Sequence, residues 1–180
     1  MAFWSDGVTE PRRNFKFLLT VGTLPLWIVK QVNLPAITVA EGTHKFLNHT
    51  FYFPGTVEYN EVSFTVVDSI NEEVTKRILE SFINSGYNTP EQETASLDSL
   101  ITKGQATRTL GAVRIEQLGS GQDGQTNKIA FVLRNAWINN LEFATGLNYD
   151  SSDPSEISVK LRYDFFNFAD TAGTLPGFGG

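Results

Sequence analysis

The chain has 180 residues, 41% of them hydrophobic and 12% aromatic, with 14 basic and 20 acidic side chains and a formal net charge of −6. That length suits one domain, which buries roughly 70% of the surface of its unfolded chain. The absence of cysteine excludes disulfides and thiolate metal sites, and thinly spread cations on an acidic chain exclude a general nucleic-acid binder.

Residues 14–21 place Phe15, Phe17, Leu19 and Val21 on one face and predict a first strand. Residues 26–34, rich in Trp, Ile and Val, predict a second strand that ends before Pro35. A long excursion or hairpin then spans about 35–55, where little pattern is sustained before the run Phe51-Tyr52-Phe53 and the turn dipeptide Pro54-Gly55. Excursions of that length inside a domain are usually functional or mobile. Residues 56–67 predict a third strand. Val57 and Tyr59 set one phase and Val62, Phe64 and Val66 the other, so a bulge or kink is expected at Asn60-Glu61.

Between 69 and 86 the period becomes helical: Ile70, Val74, Ile78 and Phe82 recur every fourth residue, with Leu79 and Ile83 widening the stripe. Ser69 or Asn71 can cap the start, Glu72 and Glu73 suit the positive end of the dipole, and Gly86 suits a left-handed terminus. One α-helix over about 70–85 follows. Residues 87–108 are polar and turn-rich. Thr89-Pro90-Glu91 resembles a helix start with Leu97, Leu100 and Ile101 as a small apolar face, or the segment is an ordered loop.

Further strands are predicted over 110–118, 127–136 and 137–145, with flexible turn material over 119–124. Residues 156–165 alternate without exception. Ile157, Val159, Leu161, Tyr163 and Phe165 share one face; Glu156, Ser158, Lys160, Arg162 and Asp164 share the other. A slip of one residue would carry the apolar set into water, so the register is strongly fixed. From residue 167 the pattern is lost, which divides the chain into a β-domain over 1–166 and a C-terminal tail over 167–180, disordered or ordered by a neighbour. About seven strands with one helix among them make a mainly β protein: two antiparallel sheets packed as a sandwich or barrel, with one flanking α-helix.

No catalytic constellation is present. His44 and His49 share neither a helical nor an alternating spacing and have no accompanying carboxylate motif, so they are surface residues and not metal ligands. Glu72-Glu73 complement a helix dipole. The glycines at 119, 121 and 124 precede no GK[ST] and no helix, and no serine sits in a nucleophile elbow. No cofactor is implied. No apolar run approaches the roughly 20 residues of a spanning helix. The N-terminus lacks a secretion signal, so a soluble protein without a membrane anchor, made in a cytoplasm, is expected. Phe3, Trp4, Phe51, Tyr52, Phe53, Phe166, Phe168 and Phe178 lie at termini or in the excursion. Either they tuck against the sandwich edges or they dock on sister subunits.

In its order of segments the chain resembles the tail tube protein of contractile-tailed bacteriophages. The likeness rests on the early strand to Val21 and the stretch Leu24-Pro25…Val32…Leu34-Pro35. It continues through the excursion into Phe53-Pro54-Gly55-Thr56-Val57-Glu58-Tyr59 and Val62-Ser63-Phe64-Thr65-Val66-Val67-Asp68, then the helix that starts at Asn71-Glu72-Glu73. Leu133-Arg134-Asn135-Ala136-Trp137 and the 150–165 segment resemble the closing hairpin. The resemblance implies a virion protein assembled in the host cytoplasm, with six copies closing into a ring whose inner sheets join as a barrel. Rings stack into a rigid tube that holds tape-measure protein and then conducts DNA, gripped by a contractile sheath and bounded by baseplate and tail terminator proteins.

Under that resemblance an acidic bore would repel phosphate and let DNA slide, and strand parity nominates Glu58, Glu116, Glu156 and Asp164 as its lining. Residues 41–55, with His44, Lys45, Phe51 and Phe53, and the N-terminal arm around Trp4, Arg12 and Arg13 are the expected subunit contacts. The inner tube of a type VI secretion or bacteriocin-like machine shares the ring fold and is the nearest alternative. A stand-alone carbohydrate-binding sandwich using Trp4, Tyr52 or Trp137 is a further one. An enzyme is not expected, because nothing poises an acid, base or nucleophile.

Overall fold

In a computed structural model of the protein the described residues are 12–22, 24, 26–70, 73–87, 101–120, 126–143, 146, 148–170 and 173–174. In chain order the strands are β1 (Phe17–Val21), β2 (Val29–Val32), β3 (Ile37–Phe46), β4 (His49–Tyr59) and β5 (Val62–Val67), then helices α1 (Val74–Asn84) and α2 (Lys103–Leu110). After them come β6 (Val113–Ser120), β7 (Thr126–Arg134), β8 (Trp137–Glu142), β9 (Glu156–Arg162), β10 (Phe165–Asp170) and β11 (Gly173–Thr174). The protein is mainly β. One antiparallel sheet has the order β1-β6-β7-β10-β11, a second the order β2-β5-β9-β8, and among the described residues β3 pairs with β4 alone.

Alternation explains how the two larger sheets pack. Leu19, Val21, Val113, Ile115, Leu133 and Phe166 point inward from the first sheet and meet Val62, Phe64, Val66, Ile157, Val159 and Leu161 from the second in one core. Each such side chain contributes about 1.5–3 kcal/mol by leaving water. The helical stripe closes that core: Val74 and Ile78 are buried, whereas Ile70 and Ile83 are exposed. Gly86 has a φ of 106°, as its place after the helix demanded, and its N–H donates to the Ile83 carbonyl. At the start Glu73, at a φ of 47°, precedes the first turn and makes no side-chain capping bond among the described residues. Asn71 lies outside the described residues.

The second helix was not expected. Thr102 accepts a hydrogen bond from the Gln105 N–H and so caps α2, while Gln105 Nε2 and Thr109 Oγ1 donate to the Asn84 carbonyl at the end of α1. The helix thus satisfies an otherwise open carbonyl of its neighbour and buries Ala106 and Leu110. Leu110, read above as the start of a strand, ends this helix. The possible helix start at 89–91 lies outside the described residues.

Two further expectations are corrected at places where the chain changes sheet. The phase shift at Asn60-Glu61 is not a bulge within one strand: β4 ends at Tyr59 and β5 begins at Val62 in another sheet. The alternating run of 156–165 likewise breaks at Tyr163-Asp164. Phe165 opens β10 opposite Arg134 in the first sheet and is exposed, while Phe166 turns inward. β10 also runs through the boundary drawn at 166, and Phe166 and Phe168 pack with the core. At the front, Asn14 and Phe15 form a turn and Phe15 is exposed; Leu26–Ile28 form a single 3-10 turn before β2.

Candidate self-assembly surfaces

The excursion is a ribbon of two strands standing apart from both sheets. Ten residues of β3 at about 3.4 Å each give it a length of roughly 34 Å. It leaves the sandwich after β2 and returns into β5, and the Asn60 N–H, which donates to the Ala36 carbonyl, pins its base. Tyr59 sits there with its ring 6.0 Å from Tyr163 and 5.6 Å from Phe166, so an aromatic cluster fixes the arm to the core. Burial pushes the Tyr163 hydroxyl up to about 12.

A bulge lies midway, where Ala40 of β3 faces two residues of β4, Gly55 and Thr56. A Cβ on Gly55 would lie 2.9 Å from the Ala40 carbonyl oxygen, so only glycine lets the strands close there. Pro54-Gly55, expected to end the aromatic run in a turn, instead passes through the strand at this bulge. Beyond it the cross-strand pairs give the tip two unlike faces. Gly42↔Phe53, His44↔Phe51 and Phe46↔His49 make one face nearly all aromatic; Thr43↔Tyr52 and Lys45↔Thr50 make the other polar. The His49 ring stands edge-on to Phe51 at 4.7 Å.

Nothing in the described chain covers the aromatic face. Phe46 is 62% exposed, Phe51 46% and Phe53 55%, and every residue of β3 is exposed. A two-stranded hairpin alone in water is marginally stable, and a contiguous apolar patch of this kind marks association.

The second surface is the outer face of the β2-β5-β9-β8 sheet. Lys30 pairs with Glu156, Lys160 with Glu142 at 3.0 Å, and Arg162 with Glu61 at 3.6 Å. Asn139 Nδ2 donates to Glu61 at 2.6 Å. Three cations therefore balance three carboxylates, and the face is not acidic as expected. Pairs this exposed add about 0–1 kcal/mol each to stability; their effect is to keep the face wet and electrically quiet. Among the described residues β2 and β8 are the open edges of this sheet.

The four carboxylates nominated for one bore lie on separate surfaces. Glu156 is on the outer face just described. Glu116 points from the outer face of the opposite sheet, where it binds Arg114 at 2.8 Å. Glu58 is on the arm, opposite Thr38. Asp164 lies at the corner between the sheets, with both oxygens 2.7 Å from Lys103 Nζ and one 2.7 Å from Asn135 Nδ2. Those two donors, Lys103 first, hold its carboxyl below the usual range. Opposite sides of a sandwich cannot line one channel, so parity within each strand was insufficient to group these residues.

Of the expected contact residues, His44, Lys45, Phe51 and Phe53 come together at the arm tip. Arg12 and Arg13 are exposed ahead of β1; Trp4 lies outside the described residues. Trp137, a candidate sugar platform, is only partly exposed. Sequence reasoning missed Asn135, Lys103 and Glu61, which order the corner and the polar face. The sequence offers no local pattern for them, because each partner is far away along the chain.

No family model matches the sequence, and no curated protein does. Solved structures do match in fold. A chain of the anti-feeding prophage cap, the tube-terminating cap, aligns with a TM-score of 0.61 at 13% identity over 93% of this chain and 98% of that one. A chain of the sheath/tube terminator of an extracellular contractile injection system, PVC, aligns with a TM-score of 0.60 at 14% identity over 90% and 99%. One from the PVC sheath–tube complex aligns at 0.56 and 14% identity over 93% and 97%. The chain has a fold found in the tube, sheath and cap assemblies of contractile injection systems.

Proposed function

We propose that this protein is the subunit of the rigid inner tube of a contractile tail, a structural protein and not an enzyme. The observation that carries the reading is the pairing of a self-contained sandwich with an aromatic arm that no described residue covers, within a fold of contractile-system chains. In this reading six copies close a ring by joining β8 of one to β2 of the next, which removes both open edges. The polar outer face of that sheet, with Glu156, lines the bore, and the arm holds successive rings together. The N-terminal segment around Trp4, Arg12 and Arg13 adds subunit contacts. A sheath grips the outside, a tape-measure protein fills the bore during assembly, and baseplate and terminator proteins close the ends.

A charge-balanced bore gives phosphate neither a cation stripe to bind nor a strong repulsive field, so DNA would slide through it in a phage tail. A second reading, the tube of a particle that injects protein, is favoured by the injection systems among the matching folds. Electron microscopy of concentrated protein tests the common core: hollow rings or tubes are expected, and a solitary particle at every concentration, also beside its initiating baseplate, would refute it. Nuclease-protected DNA in native particles separates the phage reading from the second.

A further inference from the structure

The arm prolongs an edge of the second sheet. Between the β2–β5 ladder and the β3–β4 ladder the Asn33 N–H donates to the Ser63 carbonyl and the Asn60 N–H to the Ala36 carbonyl. The edge of β2, open among the described residues, therefore runs on into β3. Faces can be followed along the same ribbon. Tyr59, opposite Ile37, packs on Tyr163 and Phe166, so this side of the arm continues the core-facing side of the sheet. Val39 and Val57, two pairs on, share that side. The bulge then adds a residue to β4, and Phe51 and Phe53 fall on the other side. Ile37, Val39 and Val57 are 43–55% exposed and make a base patch distinct from the aromatic tip.

Strand polarity selects what meets this patch. β2, β5, β9 and β8 are each antiparallel to the next, so β8 runs opposite to β2. When β8 of a ring neighbour is laid along β2, its Trp137 end comes to the Val32 end, where the arm begins. Beside β8 at that end, next to the core-facing Ile138, lies an apolar notch of about 190 Å³ between α1, α2 and the strand. Phe82, Ile101, Ala106 and Trp137 line it, and no charged side chain does among the described residues. β2 has only four residues. Stable interfaces bury roughly 800 Å² per partner, more than so short a seam supplies.

We propose that the base of the arm is a second lateral contact: Ile37, Val39 and Val57 of one copy seat against the α1–α2–β8 notch of the copy beside it in the ring. This seat rests on the ring-closure reading and extends its seam, leaving the aromatic tip for the next ring. Because the chain has no cysteine, Val39→Cys with Ile101→Cys in assembled tubes can be treated with a short bismaleimide. Denaturing gels should show a ladder that stops at six, since a contact within a closed ring cannot link two rings. The pair Val39→Cys with Thr20→Cys, on the outer face of the first sheet, should stay monomeric. Tubes in which the first pair gives no ladder, one running past six, or one matched by the second pair would overturn the seat and leave ring closure standing. A wild type that forms neither rings nor tubes would overturn ring closure itself. Val39→Asp with Val57→Asp gives a check without cross-linking. Its circular dichroism should match the wild type while electron microscopy shows solitary subunits, whereas Phe51→Ala with Phe53→Ala should stop at rings. Normal rings from the Asp pair would also overturn the seat.

Discussion

β9 and the far half of the arm each gather apolar side chains on one face, yet Ile157, Val159 and Leu161 are at most 1% exposed while Phe46, Phe51 and Phe53 expose 46–62% of their surface. The difference lies in what stands opposite. β9 faces a second sheet of the same chain; the arm faces nothing among the described residues. Alternation therefore states that a strand has a face to bury, and only the rest of the molecule states whether that face is covered in the subunit or left for a partner.

Substitutions of like chemistry in the two regions should break in opposite ways. Val159→Asp places an unpaired charge in the core and should cost about 4 kcal/mol or more, enough to unfold the subunit in circular dichroism. A folded, normally assembling variant would show that the facing of β9 is inverted. Ile78→Ala, on the helix that closes the core, should cost about 2–4 kcal/mol in urea unfolding with an unchanged slope.

Asp164→Asn is expected to cost no more than about 1 kcal/mol, because its carboxylate is over a third exposed. Its pH signature is the sharper readout. A carboxyl held low in the folded state contributes stability above its unfolded pKa of about 3.9, and that contribution is lost as pH falls through the folded value. The wild type should lose stability more steeply below about pH 4 than the Asn variant, and parallel acid titrations would contradict the Lys103–Asp164–Asn135 tie.

Smallest on the subunit should be Phe51→Ala with Phe53→Ala, at about 0.5 kcal/mol or less, since neither side chain is buried there. The same variant should lose tubes by electron microscopy. Unchanged assembly would move the interface elsewhere on the molecule.

Much of the sandwich was legible because inward residues carry a local period: 62, 64 and 66, and 157, 159 and 161, each announce a half-buried strand. The helix at 74–84 was legible for the same reason. What escaped notice was change of sheet. Tyr163 still points inward after β9 ends, so the pattern runs smoothly through a corner at which the hydrogen-bond partner switches from β5 and β8 to β7. The second helix hid behind a polar sequence, although Thr102-x-x-Gln105 is a capping pair that could have marked its start. That His44, Lys45, Phe51 and Phe53 lie close together was legible because an aromatic run within an excursion is conspicuous. The bore candidates were scattered because parity fixes a side within one strand and says nothing about which sheet that strand joins.

Amide hydrogen exchange read residue by residue, before and after polymerisation, addresses the difference between arm and sandwich most directly. In the free subunit β3 and β4 should exchange rapidly while β5 and β9 are slow; after assembly the arm should gain protection of at least an order of magnitude, with β5 and β9 little changed. An arm that exchanges as fast in the polymer as in the subunit would contradict the claim that sister copies cover it.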